Sequence, residues 1–178
     1  MKIFLLVITS ITFLLSNDIN GVAYFNYSED SGFGLSRTYF TYNKQMSDVL
    51  SFKFQIDVGQ LSDIEYDDTG NEHENDDRWT AYLKKSQLDW QVNDRMKLSI
   101  GMIGMNMFNV QEKTWGNRFV AKSAMDANGY SSSADLGFAI SKKIGPIAAS
   151  LLITNGEGYK NSQSDENTKK SLQLLYGE

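Results

Sequence analysis

The chain has 178 residues, 41% of them hydrophobic and 12% aromatic, with 14 Gly, 1 Pro, no Cys and a net charge of -5. That much apolar content suffices to bury a sizeable core; the lack of Cys excludes a disulfide scaffold and thiol chemistry, and the acidic balance argues against a nucleic-acid partner, which needs a basic stripe. Aromatic, Gly-punctuated composition suits pleated surfaces better than a helical bundle, so the class expected is all-β.

At the N-terminus Met1 and Lys2 precede an apolar run over residues 3–15, interrupted only by Thr9, Ser10 and Thr12. The run has the length of a signal-peptide hydrophobic region and falls short of the roughly 20 apolar residues of a transmembrane helix. An export signal over residues 1–20 is expected, with a buried N-terminal strand or helix as the alternative. Ser16 is small enough to precede a cleavage site, but Leu14 two positions earlier fits poorly, so the site is left open. Residues 21–178 then form one β domain.

Residues 22–28 read as a first strand, and the turn-like Glu29, Asp30, Ser31 and Gly32 follow. In the second strand, residues 33–43, Arg37 shares a face with Tyr39 and Thr41 while Phe40 and Tyr42 lie opposite. Residues 50–59 alternate without fault: Leu50, Phe52, Phe54, Ile56 and Val58 against Ser51, Lys53, Gln55, Asp57 and Gly59. Only a strand converts that period of two into two chemically distinct faces. An acidic stretch from Asp63 to Asp77 has almost nothing to bury and is expected to be solvated loop. Alternation resumes in residues 79–92, with Ser86, Leu88, Trp90 and Val92 opposite Lys85, Gln87, Asp89 and Gln91. It continues over 96–102, 133–143, 147–154 and 170–176, giving about eight strands. Residues 104–130 show no such period; Trp115 and Phe119, four apart, mark either a short helix or an irregular loop.

Turns after Asn43, Val92 and Lys143 are short, whereas the connections after Gly59, Ile103 and Thr154 are long and polar. Antiparallel strands that cross an outer membrane sort their loops in this way, short on the periplasmic side and long outside. Strands of about nine to eleven residues, with Tyr42 and Trp90 near turn ends and Trp79 near a loop end, match a tilted crossing with aromatic girdles. The expected architecture is an antiparallel transmembrane β-barrel in the bacterial outer membrane, its oily face on lipid and its polar face on a lumen. A secreted β-sandwich is the alternative.

The hairpin over residues 32–59, YLKKSQLDWQV from Tyr82, QEKTWGNRFV from Gln111, SSADLGFAIS from Ser132 and NGEGY from Asn155 together resemble outer-membrane porins of the phosphate-selective, O/P-like family. The resemblance implies a many-stranded barrel that associates as a homotrimer, attracts anions through lumen Arg and Lys, and passes small hydrophilic solutes by diffusion. The sequence stops at Tyr176, Gly177 and Glu178, partway through a strand, so a larger barrel of which this is the N-terminal part is expected. An eight-strand closure, its lumen filled by side chains, is the alternative.

Arg37, Lys53, Asp57, Lys85 and Asp89 are the candidate pore-lining residues, a mixed-sign set of the kind that tunes permeation. Opposite charges on neighbouring strands also stabilise a sheet without any role in transport. Lys113, Arg118 and Lys122, set against Glu112 and Asp126, are candidates for a constriction loop with a weak preference for anions. Leu50, Phe52, Phe54, Ile56 and Val58 are the candidate lipid-facing residues. His73 stands alone in an acidic run that lacks calcium-loop spacing, and no nucleophile, base or phosphate-cradling motif is recognisable. No metal, cofactor or enzymatic activity is expected. The functional expectation is a diffusion channel, against a non-conducting envelope protein, either a small barrel anchor or a secreted binding module.

Overall fold

The computed structural model describes residues 7–16, 18–30, 32–60, 79–118 and 120–177. These form one antiparallel sheet of nine strands in chain order: β1 (Val7–Ser16), β2 (Ile19–Ser28), β3 (Gly32–Gln45), β4 (Leu50–Gln60), β5 (Trp79–Asn93), β6 (Met96–Gly104), β7 (Ala134–Ile144), β8 (Ile147–Thr154) and β9 (Lys169–Tyr176). Two helices, α1 (Asn106–Trp115) and α2 (Ala124–Ala127), lie between β6 and β7. No helix among the described residues is long and apolar enough to cross a membrane, which has no bearing on crossing by strands.

The sheet is open: β1 and β9 are its two edges, and no ladder joins them among the described residues. A closed barrel is therefore not what these residues form. The ninth strand comes from the apolar N-terminal run, of which residues 7–16 pair with β2 from Val7 opposite Tyr27 to Ser16 opposite Ile19. The acidic stretch with His73 lies outside the described residues.

The strands from β2 onward occupy the expected segments, because alternation fixes which residues can share a face and a slip by one would turn every side chain over. Phe52 faces Leu88, Ile100 faces Phe138, and Leu151 faces Leu172, all on one side of the sheet. The two longest strands, β3 with 14 residues and β5 with 15, each carry an irregularity. Tyr24 and Phe25 pair with Arg37 and Leu35, which leaves Ser36 as an extra residue; Gln55 and Ile56 pair with Lys85 and Leu83, which leaves Lys84. A bulge of this kind resets the alternation without breaking the strand.

In β2–β9 the apolar face remains largely uncovered: Ile100 is 60% exposed, Leu172 69% and Leu174 64%. The packed core lies on the opposite, polar side, where Ile103, Met105 and Phe108 meet Ala139 and Leu152 beneath α1. That helix ends at Trp115, because Gly116 adopts a left-handed conformation (φ 66°) and its N–H bonds Glu112 O; glycine meets this backbone without a Cβ clash. Helix therefore runs up to Trp115 and gives way at Gly116, and Phe119 lies outside the described residues.

Candidate functional site

The polar face collects every residue singled out as a pore-lining candidate. Tyr39 pairs with Asp57, Thr41 with Gln55, and Asn43 with Lys53, while Lys53 pairs in turn with Gln87 and Ser51 with Asp89. Arg37, Lys53, Asp57, Lys85 and Asp89 thus share one side, and Leu50, Phe52, Phe54, Ile56 and Val58 share the other.

Near the loop ends of β3 and β4 Arg37 and Asp57 form an ion pair, with Arg37 Nη1 2.9 Å from Asp57 Oδ2. The same carboxylate oxygen accepts a hydrogen bond from the hydroxyl of Tyr159 at 2.5 Å, although Tyr159 lies 102 residues further along the chain. Asp57 is 1% exposed, and its second oxygen, Oδ1, has no hydrogen-bond partner. Burial, followed by the negative charge and hydrogen bond of Asp57, pushes the Tyr159 hydroxyl well above its ordinary value. The phenol is thus held as a donor. Tyr82 packs edge-on against Tyr159 with ring centres 6.3 Å apart, and Lys84 Nζ sits 4.4 Å above the Tyr39 ring. The β5 bulge explains that last contact, because it turns Lys84 to the same side as Lys85.

Further toward the short turns the polar face and α1 enclose an open cavity of about 1010 Å³. Leaving aside Lys142, which is in register with the apolar face, its lining holds six basic residues, among them Lys53, Lys85, Lys97 and Lys113, against two acidic ones, Asp89 and Asp94. The excess of four positive charges contrasts with a chain whose net charge is -5. Asp89 is held by Gln87 Nε2 at 2.8 Å, by the Ser99 hydroxyl and by Lys97 Nζ at 3.7 Å, so its charge is spent locally. Lys85, by contrast, reaches the end of β6, where a Cβ added to Gly104 would lie 2.7 Å from its Nζ.

The connection over residues 105–133 folds onto this face and does not extend away from it. Asn106 anchors α1, donating from Nδ2 to Ser150 Oγ at 3.0 Å and accepting from Ser171 Oγ at 2.7 Å. Of the three constriction candidates, Lys113 lines the cavity. Arg118 Nη2 is paired with Asp126 Oδ2 at 3.4 Å, and Lys122 is exposed and away from the cavity wall. Arg37 and Asp57 also lie outside the cavity lining, in the cluster nearer the loops.

Sequence reading passed over Tyr159, Lys84 and Asn106. For Lys84 the double lysine at positions 84 and 85 was a usable signal, since strict alternation puts one of the two on an oily face unless a bulge intervenes. Nothing in the sequence connects Tyr159 with Asp57. Among the described residues no group of three or more metal-ligating side chains comes together. Comparison with protein-family models, curated proteins and solved structures finds no match in any of the three.

Proposed function

We propose that this chain forms wall of an outer-membrane diffusion channel for small hydrophilic solutes, with a preference for anions, as its resemblance to phosphate-selective, O/P-like porins implies. The observation that carries the reading is the distribution of charge over the apolar face. In β2–β9 the charged residues in register with that face are Lys44, Lys142 and Lys170, each within two residues of a strand end. A face that meets lipid tolerates charge near the interfaces and excludes it at mid-depth, where an Arg or Lys costs about 2–4 kcal/mol. A face that met water would need no such sorting.

Loop lengths support the same reading. The connections after β1, β3, β5 and β7 are short, while those after β4, β6 and β8 are long; the connection after β2 is the exception, short although parity places it with the long ones. A connection folded over the polar face supports it too. The main chain around Tyr159 is bonded to β7, through Tyr159 N–H to Ala134 O at 3.1 Å, yet its hydroxyl reaches Asp57 on β4 and its ring packs against Tyr82 on β5.

In this reading residues 1–20 are the export signal, and their removal takes away β1. Eight strands then remain. Closure into a many-stranded barrel and assembly as a homotrimer are what the resemblance implies. The deciding experiment is planar-bilayer recording of the full-length gene product. Discrete current steps with a permeability ratio favouring chloride over potassium are expected, and Lys53→Glu together with Lys85→Glu lowers that ratio. Well-folded protein that gives no steps overturns the channel.

One observation favours the alternative of a non-conducting envelope protein. The apolar cluster of Ile103, Met105, Phe108, Ala139 and Leu152 fills the polar side beneath α1, as a plug does. Recovery of the protein from the soluble periplasm or medium supports that alternative in its secreted form.

A further inference from the structure

We infer that Asn106 is the positioning residue of the constriction: its amide fixes the roll of α1 on the seam between β8 and β9, and so turns Lys113 toward the cavity. The inference rests on the channel reading above and names a residue on which its selectivity depends.

Asn106 opens α1 and is 6% exposed, with both ends of its amide engaged. Nδ2 donates to Ser150 Oγ at 3.0 Å and lies 3.5 Å from Ser150 O, while Oδ1 accepts from Ser171 Oγ at 2.7 Å and from Met107 N–H at 2.9 Å. Its main-chain carbonyl accepts from Gln173 Nε2 at 3.3 Å. Ser150 is in register with Gln173, two residues from Ser171, so the three partners form one patch across β8 and β9. A donor read by one strand and an acceptor read by the next are satisfied together in a single orientation, because hydrogen bonds are directional. Hydrophobic contact is not directional. Met105 and Phe108, packed with Ala139 and Leu152, therefore hold the helix down without fixing its roll.

Roll decides which stripe of the helix meets the cavity. Asn106, Asn109, Val110 and Lys113 all line it, at the spacing that keeps side chains on one face of an α-helix. Lys113 stands two turns from Asn106, about 10 Å along the axis. Among the described residues no hydrogen bond joins residues 109–115 to a strand: Gln111 Oε1 accepts from Met125 N–H at 3.1 Å and Trp115 Nε1 donates to Ala121 O at 3.1 Å, both within the same connection. The direction of Lys113 is thus set at the other end of the helix. Lys113 forms no ion pair among the described residues, which leaves its charge to an anion in the cavity.

Planar-bilayer recording of the full-length gene product tests this through a cycle of variants. Lys113→Gln is expected to lower the chloride-over-potassium permeability ratio. Asn106→Ala, which leaves every charge in place, is expected to lower it toward the same value, and the double variant to fall no further than Lys113→Gln alone. Falls that add in the double variant overturn a role through Lys113, as does an unchanged ratio in either single variant. Where Asn106→Ala does not fold, Ser171→Ala removes one partner and spares Asn106; a smaller fall is expected, and no fall overturns the inference. Amide exchange over residues 109–115 is expected to quicken roughly tenfold in Asn106→Ala, with β3 and β4 unchanged. Absence of current from the wild type overturns the channel reading itself. Quickened exchange then still supports Asn106 as the residue that fixes α1, and unchanged exchange overturns that as well.

Discussion

One polar face carries two kinds of packing. Over β6–β9 it presents small side chains, Ser99, Ala139, Ser141, Ser150 and Ser171, and α1 settles onto them and buries Phe108 to 1% exposure. Over β3–β5 it presents Arg37, Tyr39, Lys53, Asp57, Lys84 and Lys85, which hold any main chain at a distance and pair among themselves or reach into open space. Both halves alternate apolar and polar residues along most of each strand; side-chain size on one face decides which half is packed and which stays open. A charged surface with room above it can serve solutes, whereas a small-residue floor invites a helix.

The strongest way to break that contrast is Phe108→Ala. Truncating a buried Phe costs about 3–5 kcal/mol, and denaturant unfolding should register it, with protection lost in α1 and retained in β3–β5. Uniform loss across the sheet would mean that the two regions fold as one unit. Second is Phe54→Arg, which on the proposed lipid-facing reading should cost about 2–4 kcal/mol. The neighbouring Gln55→Arg removes only the 2.7 Å bond to Thr41 Oγ1, worth about 1 kcal/mol. Both are read by unfolding from lipid vesicles, and equal tolerance at the two positions would reverse the facing. Third, Ser150→Ala removes an acceptor from Asn106 and should lower stability by about 0.5–1.5 kcal/mol, with a slight loosening of α1 in amide exchange.

The smallest effect at neutral pH concerns alkali. Tyr159 binds its proton more tightly in the folded chain than the ordinary value of 10.0, so the folded state holds more protons than the unfolded one above that pH. Its contribution to stability is complete below pH 10.0 and falls as pH rises through the folded value. Stability measured from neutral pH into alkali should therefore decline more steeply in the wild type than in Tyr159→Phe. Parallel curves would show that the hydroxyl is not buried against Asp57.

Much of the fold was legible because period two leaves little freedom. Leu50, Phe52, Phe54, Ile56 and Val58 cannot share a face in any regular structure but a strand, and the short turns at residues 46–49, 94–95 and 145–146 fix antiparallel neighbours. Arg37 was assigned correctly beside Tyr39 and Thr41 although its strand stops alternating above it; Ser36 supplies the bulge that the broken pattern recorded. The helix was harder, because Asn106, Phe108 and Met105 gain their meaning only against Ser150, Ser171 and Leu152, which lie on strands that follow it in the chain.

By itself the sequence determined the all-β class, the positions of β2–β9, the two faces and the sorting of loops into short and long, since each depends on neighbours within a few residues. Only the tertiary structure decided that residues 7–16 pair with β2, that the sheet stands open at β1 and β9, that Lys84 turns to the polar side, and that Tyr159 closes on Asp57. The pairing of β1, the open edges and the closure of Tyr159 on Asp57 depend on contacts between residues up to 122 positions apart, of which local pattern carries no record.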